Sequence, residues 1–501
     1  MVEQLITRYH DQLSGVLSCY DRILITGTIP TVCYAAGMTT FLYLNKIRIF
    51  DYTSFAEPLR ERIREQAQAL AKEAGVKIQH VGKANIRKED LVADVLKERG
   101  EAPGLVHIIS AMEACDAYEP WHNKQNHKTY VRSTSGKCLH YYFYFFDEDL
   151  GLVYLRVPTW CPFRLQFYCN GHSWLAQKLT SQGIGYTMAD NSFISVDNWE
   201  QAQHLADSFS PDELHRILDR YATMCCPVLD TFGQSYHWSL MQVEYSTDLV
   251  FNSEQTLKSL YEELSRQAVL SVKAEQVASF LGKKITPQLA QEIGSRFATR
   301  IEGTCIKHRL GKASVKMYDK FGRVLRIETT TNDVSFFKHH RKVEHRNGSC
   351  ERKIAPLKKT IYSLVDLREV LLGCNRRYLE YLSALDDFSA GQRNLEQLVG
   401  PKEVDGKKLK GINFFDKTEQ LLMRALQRPE FNIKGMRRSD LKPFLPTVSV
   451  SGITRQLWRL RKLGVIKKVA GTYRYYLTRL GRSVIAACCR LTEQTIVPAL
   501  A

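Results

Sequence analysis

Apolar and polar positions alternate most sharply over residues 314–330, SVKMYDKFGRVLRIETT, which reads as two strands joined by a turn at Phe321, Gly322 and Arg323. Val315 and Met317 share one face with Leu325 and Ile327, while Lys316, Tyr318, Lys320, Arg326 and Glu328 share the other. The same period of two runs through SYHWSLMQVEYSTDLVF at 235–251 and LHYYFYFFDEDLGLVYLRV at 139–157, where an acidic turn with Gly151 joins two strands. Further strands are expected in GVLSCYDRILITGTI at 15–29, at 76–81 and 104–110, and ahead of the Asn170-Gly171 turn. Residues 118–135 and the basic run 338–353, KHHRKVEHRNGSCERK, read as loops.

Helical periodicity predicts a short opening helix, helices over 55–74, 88–99, 199–209, 211–224, 253–271 and 273–281, one after Pro287, and one over 364–385. The C-terminal order is helix 417–427, helix 436–445, helix 451–463, a two-stranded wing in GVIKKVAGTYRYYLT and a closing helix over 480–490, which resembles a winged helix-turn-helix. In SGITRQLWRLRKLG, Ile453, Leu457, Leu460 and Leu463 make the inward stripe. Thr454, Arg455, Arg459 and Lys462 are expected outward against nucleic acid, with Lys467, Lys468 and Arg474 of the wing beside them. Winged helices also serve as protein-interaction modules.

The expected fold class is α+β: a mostly antiparallel sheet core with packed helices, plus the C-terminal winged helix-turn-helix. The expected regions are an N-terminal α/β domain at 1–103, an antiparallel sheet region at 104–200, a mainly helical region at 201–300 and a basic hairpin region with a helix at 301–390. A linker at 391–410 and the winged helix at 411–501 follow.

Charge sharpens this division. Of the net +17, residues 411–501 carry +12 and residues 301–360 carry +9, leaving the rest at −4. Two basic modules on a near-neutral body predict a polyanionic partner, DNA or RNA, with Lys338, Arg341 and Lys342 as further phosphate contacts. The 13 cysteines are scattered, include no C-x-x-C pair, and suit reduced thiols. No apolar run has membrane-spanning length and no secretory leader is visible, so a cytoplasmic protein without a membrane partner is expected; homo-oligomerisation stays open.

The polar face of the 314–330 hairpin gathers a phenol, a carboxylate and three cations. Its simpler reading is a charged outer face with cross-strand Lys/Glu pairs. Its catalytic reading adds Gln242, Glu244 and Asp248 from the 235–251 strand, which would meet Tyr318 and Glu328 around a divalent cation, Mg²⁺ or Mn²⁺, through hard oxygen ligands. Tyr20, Asp21 and Arg22 are a separate catalytic candidate, with a charged strand edge as the alternative. Cys161, Cys169 and His172 have the nearest thing to a zinc spacing but no fourth partner nearby. The aromatic strands near 140–168 would stack bases or fill a core.

The segments PTWCPFRLQFYCNGHSWLA, EYSTD and KMYDKFGRVLRIETT, with the C-terminal unit, resemble a set of bacterial proteins often carried by mobile elements. KMYDK followed by LRIE is also similar to rolling-circle replication initiators of the plasmid and filamentous-phage kinds. That resemblance implies single-strand DNA cutting and joining through a phosphotyrosyl link, with Tyr318 as nucleophile and Glu328 as metal ligand. Lys316, Lys320 and Arg326 would favour the phenolate. Those initiators use a His-hydrophobic-His pair, which this chain lacks, so its metal ligands would be carboxylates, with Glu244 and Asp248 as candidates. The competing expectations are a non-catalytic DNA-binding replication or transcription factor and a structural RNA-binding protein partnered with a folded non-coding RNA.

Overall fold

The computed structural model describes residues 3–82, 86–283, 297–345, 347–386, 388–404 and 406–500. The helix expected after Pro287 lies outside them. The chain divides into two compact units, Met1–Asp386 and Asp387–Ala501.

The first unit is α+β, organised on one 11-stranded sheet. Its strands in chain order are β1 (Leu13–Thr28), β2 (Ile78–His80), β3 (Gly104–Asn123), β4 (Lys128–Asp147), β5 (Gly151–Pro158) and β6 (Leu165–Asn170). A separate small hairpin, β7 (Tyr186–Ala189) and β8 (Ser192–Val196), precedes β9 (His237–Phe251), β10 (Phe297–Glu302), β11 (Cys305–Leu310), β12 (Ala313–Lys320) and β13 (Val324–Thr331). Spatial order is β10-β11-β12-β13-β9-β1-β6-β5-β4-β3-β2, antiparallel throughout except for β2 beside β3.

All four regions expected over 1–390 feed strands into this sheet, so boundaries at 104, 201 and 301 do not separate compact units. The physical reason is non-local pairing. β1 and β9, more than 200 residues apart, form the middle of the sheet, with β9 then pairing with β13 and β1 with β6.

One sheet face is apolar. Tyr20, Tyr245, Ile327, Met317 and Val315 belong to the main core, which includes the helices Trp199–Asp207, Pro211–Cys225, Glu254–Ser271 and Leu364–Asp386. The opposite face is covered at one end by the helix Lys88–Arg99, whose Val92 packs with Val106, Ile109, Tyr142 and Tyr144.

Two expected loops are strands. Residues 118–135 continue β3 and β4 to the pair Asn123↔Lys128, because Tyr118 and Val131 supply a buried side and Glu119, Trp121 and Arg132 knit the exposed one, with Arg132 lying 3.6 Å from the Trp121 ring centre. Residues 338–344 and 350–353 of the basic run lie in the hairpin β14 (Lys338–Glu344) and β15 (Cys350–Pro356), whose polarity on both faces hides the alternation.

In the second unit, residues 391–410 are not a bare linker. The helix Phe388–Val399 and the strand pair β16 (Lys402–Val404) and β17 (Lys407–Leu409) join its core through Leu398 and Leu409. Helices Lys417–Leu426, Pro429–Lys434, Arg438–Leu441 and Val450–Lys462 follow, then β18 (Ile466–Lys468) paired with β19 (Tyr475–Leu477), and the helix Arg479–Arg490.

One buried group of the first unit makes its stability pH-dependent. His308 is fully buried between Thr299 Oγ1 (2.9 Å) and Tyr378 Oη (3.1 Å), and burial lowers its pKa from 6.5 to about 4. Between those values the unfolded chain binds more protons, so stability rises with pH across this window and is lost on acidification. From pH 7 to pH 5 this histidine alone should remove about 2 kcal/mol, a loss that His308→Gln should flatten in chemical denaturation at the two pH values.

Candidate functional site

The site lies where β12, β13, β9 and β1 adjoin. Register places Lys316 opposite Glu328, Tyr318 opposite Arg326, Glu328 opposite Ser246 and Arg326 opposite Asp248, so the polar face expected for the hairpin is one continuous surface shared with β9. Phe321 and Gly322 take positive φ (58° and 67°) in the turn, the conformation this short reversal needs. On β1 the register slips between Tyr20 and Ile23, so Asp21 and Arg22 together stand opposite Glu244. Asp21, two residues on from Cys19 opposite Ser246, is on the polar face by alternation, and the bulge inserts Arg22 beside it.

Asp21, Glu244 and Glu328 each offer a ligand oxygen within 4.8 Å of the others, the one such set of three among the described residues. The donor set is all hard oxygen, which fits Mg²⁺ or Mn²⁺. Lys316 Nζ lies 2.5 Å from Glu328 Oε1 and 3.4 Å from Glu244 Oε1 and acts as local countercharge. Glu328 Oε2 accepts from Tyr318 Oη at 2.6 Å. Burial, and then the Glu328 charge, raise the Glu244 carboxyl above its ordinary range, a repulsion that an added cation relieves. Burial acts against the Lys316 ammonium, but Glu328 and Glu244 outweigh it and raise that pKa.

Arg326 is not available to a substrate. It is fully buried, and its Nε and Nη2 grip Asp248 at 2.7 and 2.6 Å while Nη1 reaches Asp21 Oδ2 at 3.1 Å. The Asn191 carbonyl and Ser192 Oγ, both at 2.8 Å, close it over from the β7–β8 hairpin. Asp248, expected as a metal ligand, is the anion of this pair, and Asp21 stands in the carboxylate set instead. Asn170 and Asn191 donate to Asp21 Oδ1 at 2.8 and 2.7 Å, and His172 Nδ1 lies 3.6 Å from it. Burial opposes the Asp21 charge, yet His172, Arg326 and Asn170 hold its carboxyl well below the usual carboxylate range.

The expected phenolate field is also corrected. Burial, and then the Glu328 charge, push the Tyr318 phenol well above its ordinary value of 10.0, and the opposing pull of Arg326 is smaller. Lys316 is engaged by Glu328 and Glu244, and Lys320 donates to Asn191 Oδ1 and lies 3.4 Å from Asp190. Gln242 Nε2 donates to Glu244 Oε1 at 2.9 Å, which holds that carboxylate in orientation. The zinc spacing does not assemble into a metal set: Cys161 and Cys169 are buried thiols, and His172 serves Asp21, Asp248 and Arg326.

In the second unit the stripe of Ile453, Leu457, Leu460 and Leu463 is buried as expected. Thr454, Arg455, Lys462, Lys467 and Lys468 are exposed, and Arg474 is partly so, donating to the Lys434 carbonyl. Arg459 is turned inward, because it flanks the buried stripe and its Nη2 meets both oxygens of the buried Glu419 at 2.5 and 2.6 Å. Lys338 and Lys342 project from one exposed side of the β14–β15 hairpin, and Arg341 folds back on the Pro356 carbonyl at 2.8 Å.

No protein-family model, curated protein or solved structure matches the chain. Among the described residues no helix is long and apolar enough to cross a membrane.

Proposed function

We propose that the protein binds nucleic acid and cuts one strand of it by attack of Tyr318 on a phosphodiester, assisted by Mg²⁺ or Mn²⁺. The observation that carries this reading is the 2.6 Å hydrogen bond from Tyr318 Oη to Glu328 within a three-carboxylate set. Glu328 takes the phenolic proton as Oη bonds to phosphorus, the bond from phosphorus to one sugar oxygen breaks, and Lys316 supplies the proton to that leaving oxygen. The high pKa of the phenol requires this coupling of proton loss to attack. A cation held by Asp21, Glu244 and Glu328 would neutralise charge on the attacked phosphate. The exposed cations of the second unit and of the β14–β15 hairpin contact further phosphates. A mobile element is the setting in which such cutting and joining serves.

The second reading, a non-catalytic DNA or RNA binder, rests on the same exposed cations and on the half-buried phenol, whose raised pKa keeps it protonated. Two measurements separate them. Affinity for DNA or RNA should fall by orders of magnitude between low and physiological salt, and a flat response overturns both readings. Glu244→Gln should raise the Mn²⁺ concentration needed for cutting by about tenfold or more, with binding unchanged. Salt-sensitive binding without cutting at any Mn²⁺ or Mg²⁺ concentration leaves only the second reading.

A further inference from the structure

The sheet face that carries the carboxylates continues in both directions with a consistent chemistry. Towards one edge, Lys316 is flanked by Lys307 and then Arg300 in directly paired positions on β11 and β10. In the other direction, Arg22 of the β1 bulge lies 5.6 Å from the Tyr168 ring centre, and Tyr168 stacks on Tyr154 with centroids 5.2 Å apart and planes 11° from parallel. Both tyrosines are partly exposed: Tyr154 packs at the border of the cluster under the helix Lys88–Arg99, and Tyr168 lies between it and the carboxylate set.

Beyond the tyrosines the face ends in a cavity of about 480 Å³, within the range of small-molecule sites, lined by Arg156, Gln166, His140, Trp160 and Asp116 among others. Arg156 is fixed there by Glu113 at 3.1 Å, Gln166 at 3.3 Å and His140 at 3.1 Å. Thr26, paired with Gln166, also lines the cavity and stands five residues along β1 from Asp21, a separation of about 16 Å at strand rise. Cations, an acid cluster, stacked rings and a polar pocket with donors and acceptors thus follow one another along one surface.

We infer that this face is a track for single-stranded nucleic acid, which passes the carboxylates, stacks bases on Tyr168 and Tyr154, and seats one base in the Arg156/Gln166 pocket. The inference rests on the proposed function for its ligand class and names the form of that ligand. A duplex keeps its bases stacked on one another and presents no free ring face to Tyr168. Arg300 and Lys307 on one flank and Arg22 on the other complement the backbone charge. A mixed polar pocket with a Trp160 wall suits the hydrogen-bonding edge of an unpaired base, as a smooth apolar pocket would not.

The test is fluorescence anisotropy on the full-length protein in EDTA, so that no cutting intervenes, with labelled single-stranded DNA, single-stranded RNA and the corresponding blunt DNA duplex. Tyr168→Ala and Tyr154→Ala should each weaken single-strand binding by about tenfold or more, DNA and RNA differing only in degree, while duplex binding changes less than about twofold. Tyr168→Phe should retain the affinity, because the ring and not the hydroxyl stacks, and it guards against a folding defect in the alanine variants. Gln166→Ala should change which base is preferred near one end of the oligonucleotide. Single-strand affinity that is unchanged in both alanine variants overturns the inference, as does an equal loss on the duplex. If those variants bind normally while wild type still forms a tyrosyl adduct with Mn²⁺, the track is wrong and the proposed cutting stands. If they lose single-strand binding as expected but no adduct forms under any condition, the track stands and the cutting fails.

Discussion

Tyr318→Phe is expected to abolish the covalent protein–nucleic acid adduct, by about a thousandfold or more, on hairpin-containing single strands with Mg²⁺ or Mn²⁺. The substitution removes one oxygen. Glu328, which loses the 2.6 Å hydrogen bond, keeps Lys316 and the Thr330 hydroxyl at 3.1 Å, so the carboxylate is not left buried without partners. The fold should persist and binding should change less than about twofold. Denaturing gel mobility of labelled substrate reads the adduct directly. Glu328→Gln supplies the second arm: it preserves size but cannot accept the phenolic proton, so adduct formation should fall by about a hundredfold or more. An adduct that survives Tyr318→Phe assigns the nucleophile elsewhere. Wild-type protein that forms none leaves the face as a binding surface.

Much of the local structure was legible because periodicity is a local property. The 314–330 hairpin, the strand over 235–251 and the helices at 88–99, 211–224 and 364–385 follow from spacing that one stretch displays by itself. Loops were misread where polarity covered both faces, as in β14 and β15, or where the buried side was sparse, as at Tyr118 and Val131. The site was half legible. Tyr318, Lys316 and Glu328 share a face by simple alternation, and Glu244 follows once β9 pairs with β13. Asp21 needed the pairing of β1 with β9, more than 200 residues away, which no spacing reveals, and the bulge that sets Arg22 beside it is equally silent in the sequence. Arg326 and Asp248 were misassigned for a related reason. Their closure depends on Asn191 and Ser192, which lie more than 130 residues before Arg326 in sequence, and no local pattern signals that a charged strand face will be roofed.

That roofing leaves Arg326 fully buried as the shared cation of Asp248 and Asp21. Arg326→Met should destabilise the first unit by about 3–5 kcal/mol, because Asp21 and Asp248 are left buried without their cation while the methionine fills most of the space. In a thermal melt the shift should be about 4–6 °C for a unit of this size. The sign of the pH dependence follows from Asp21, whose carboxyl is held low in the folded protein: its pairing stabilises above the unfolded pKa and is lost as pH falls through the folded one. In the variant the Asp21 carboxyl is desolvated without that countercharge and binds a proton more readily, so the gap between wild type and variant should narrow towards pH 4. Adding Asp248→Asn to Arg326→Met should recover part of the loss, since one of the two orphaned charges is then gone, and the double-mutant cycle reads their coupling. A variant as stable as wild type that has lost only cutting would instead place Arg326 against the substrate, which its burial and its grip on Asp248 and Asp21 argue against.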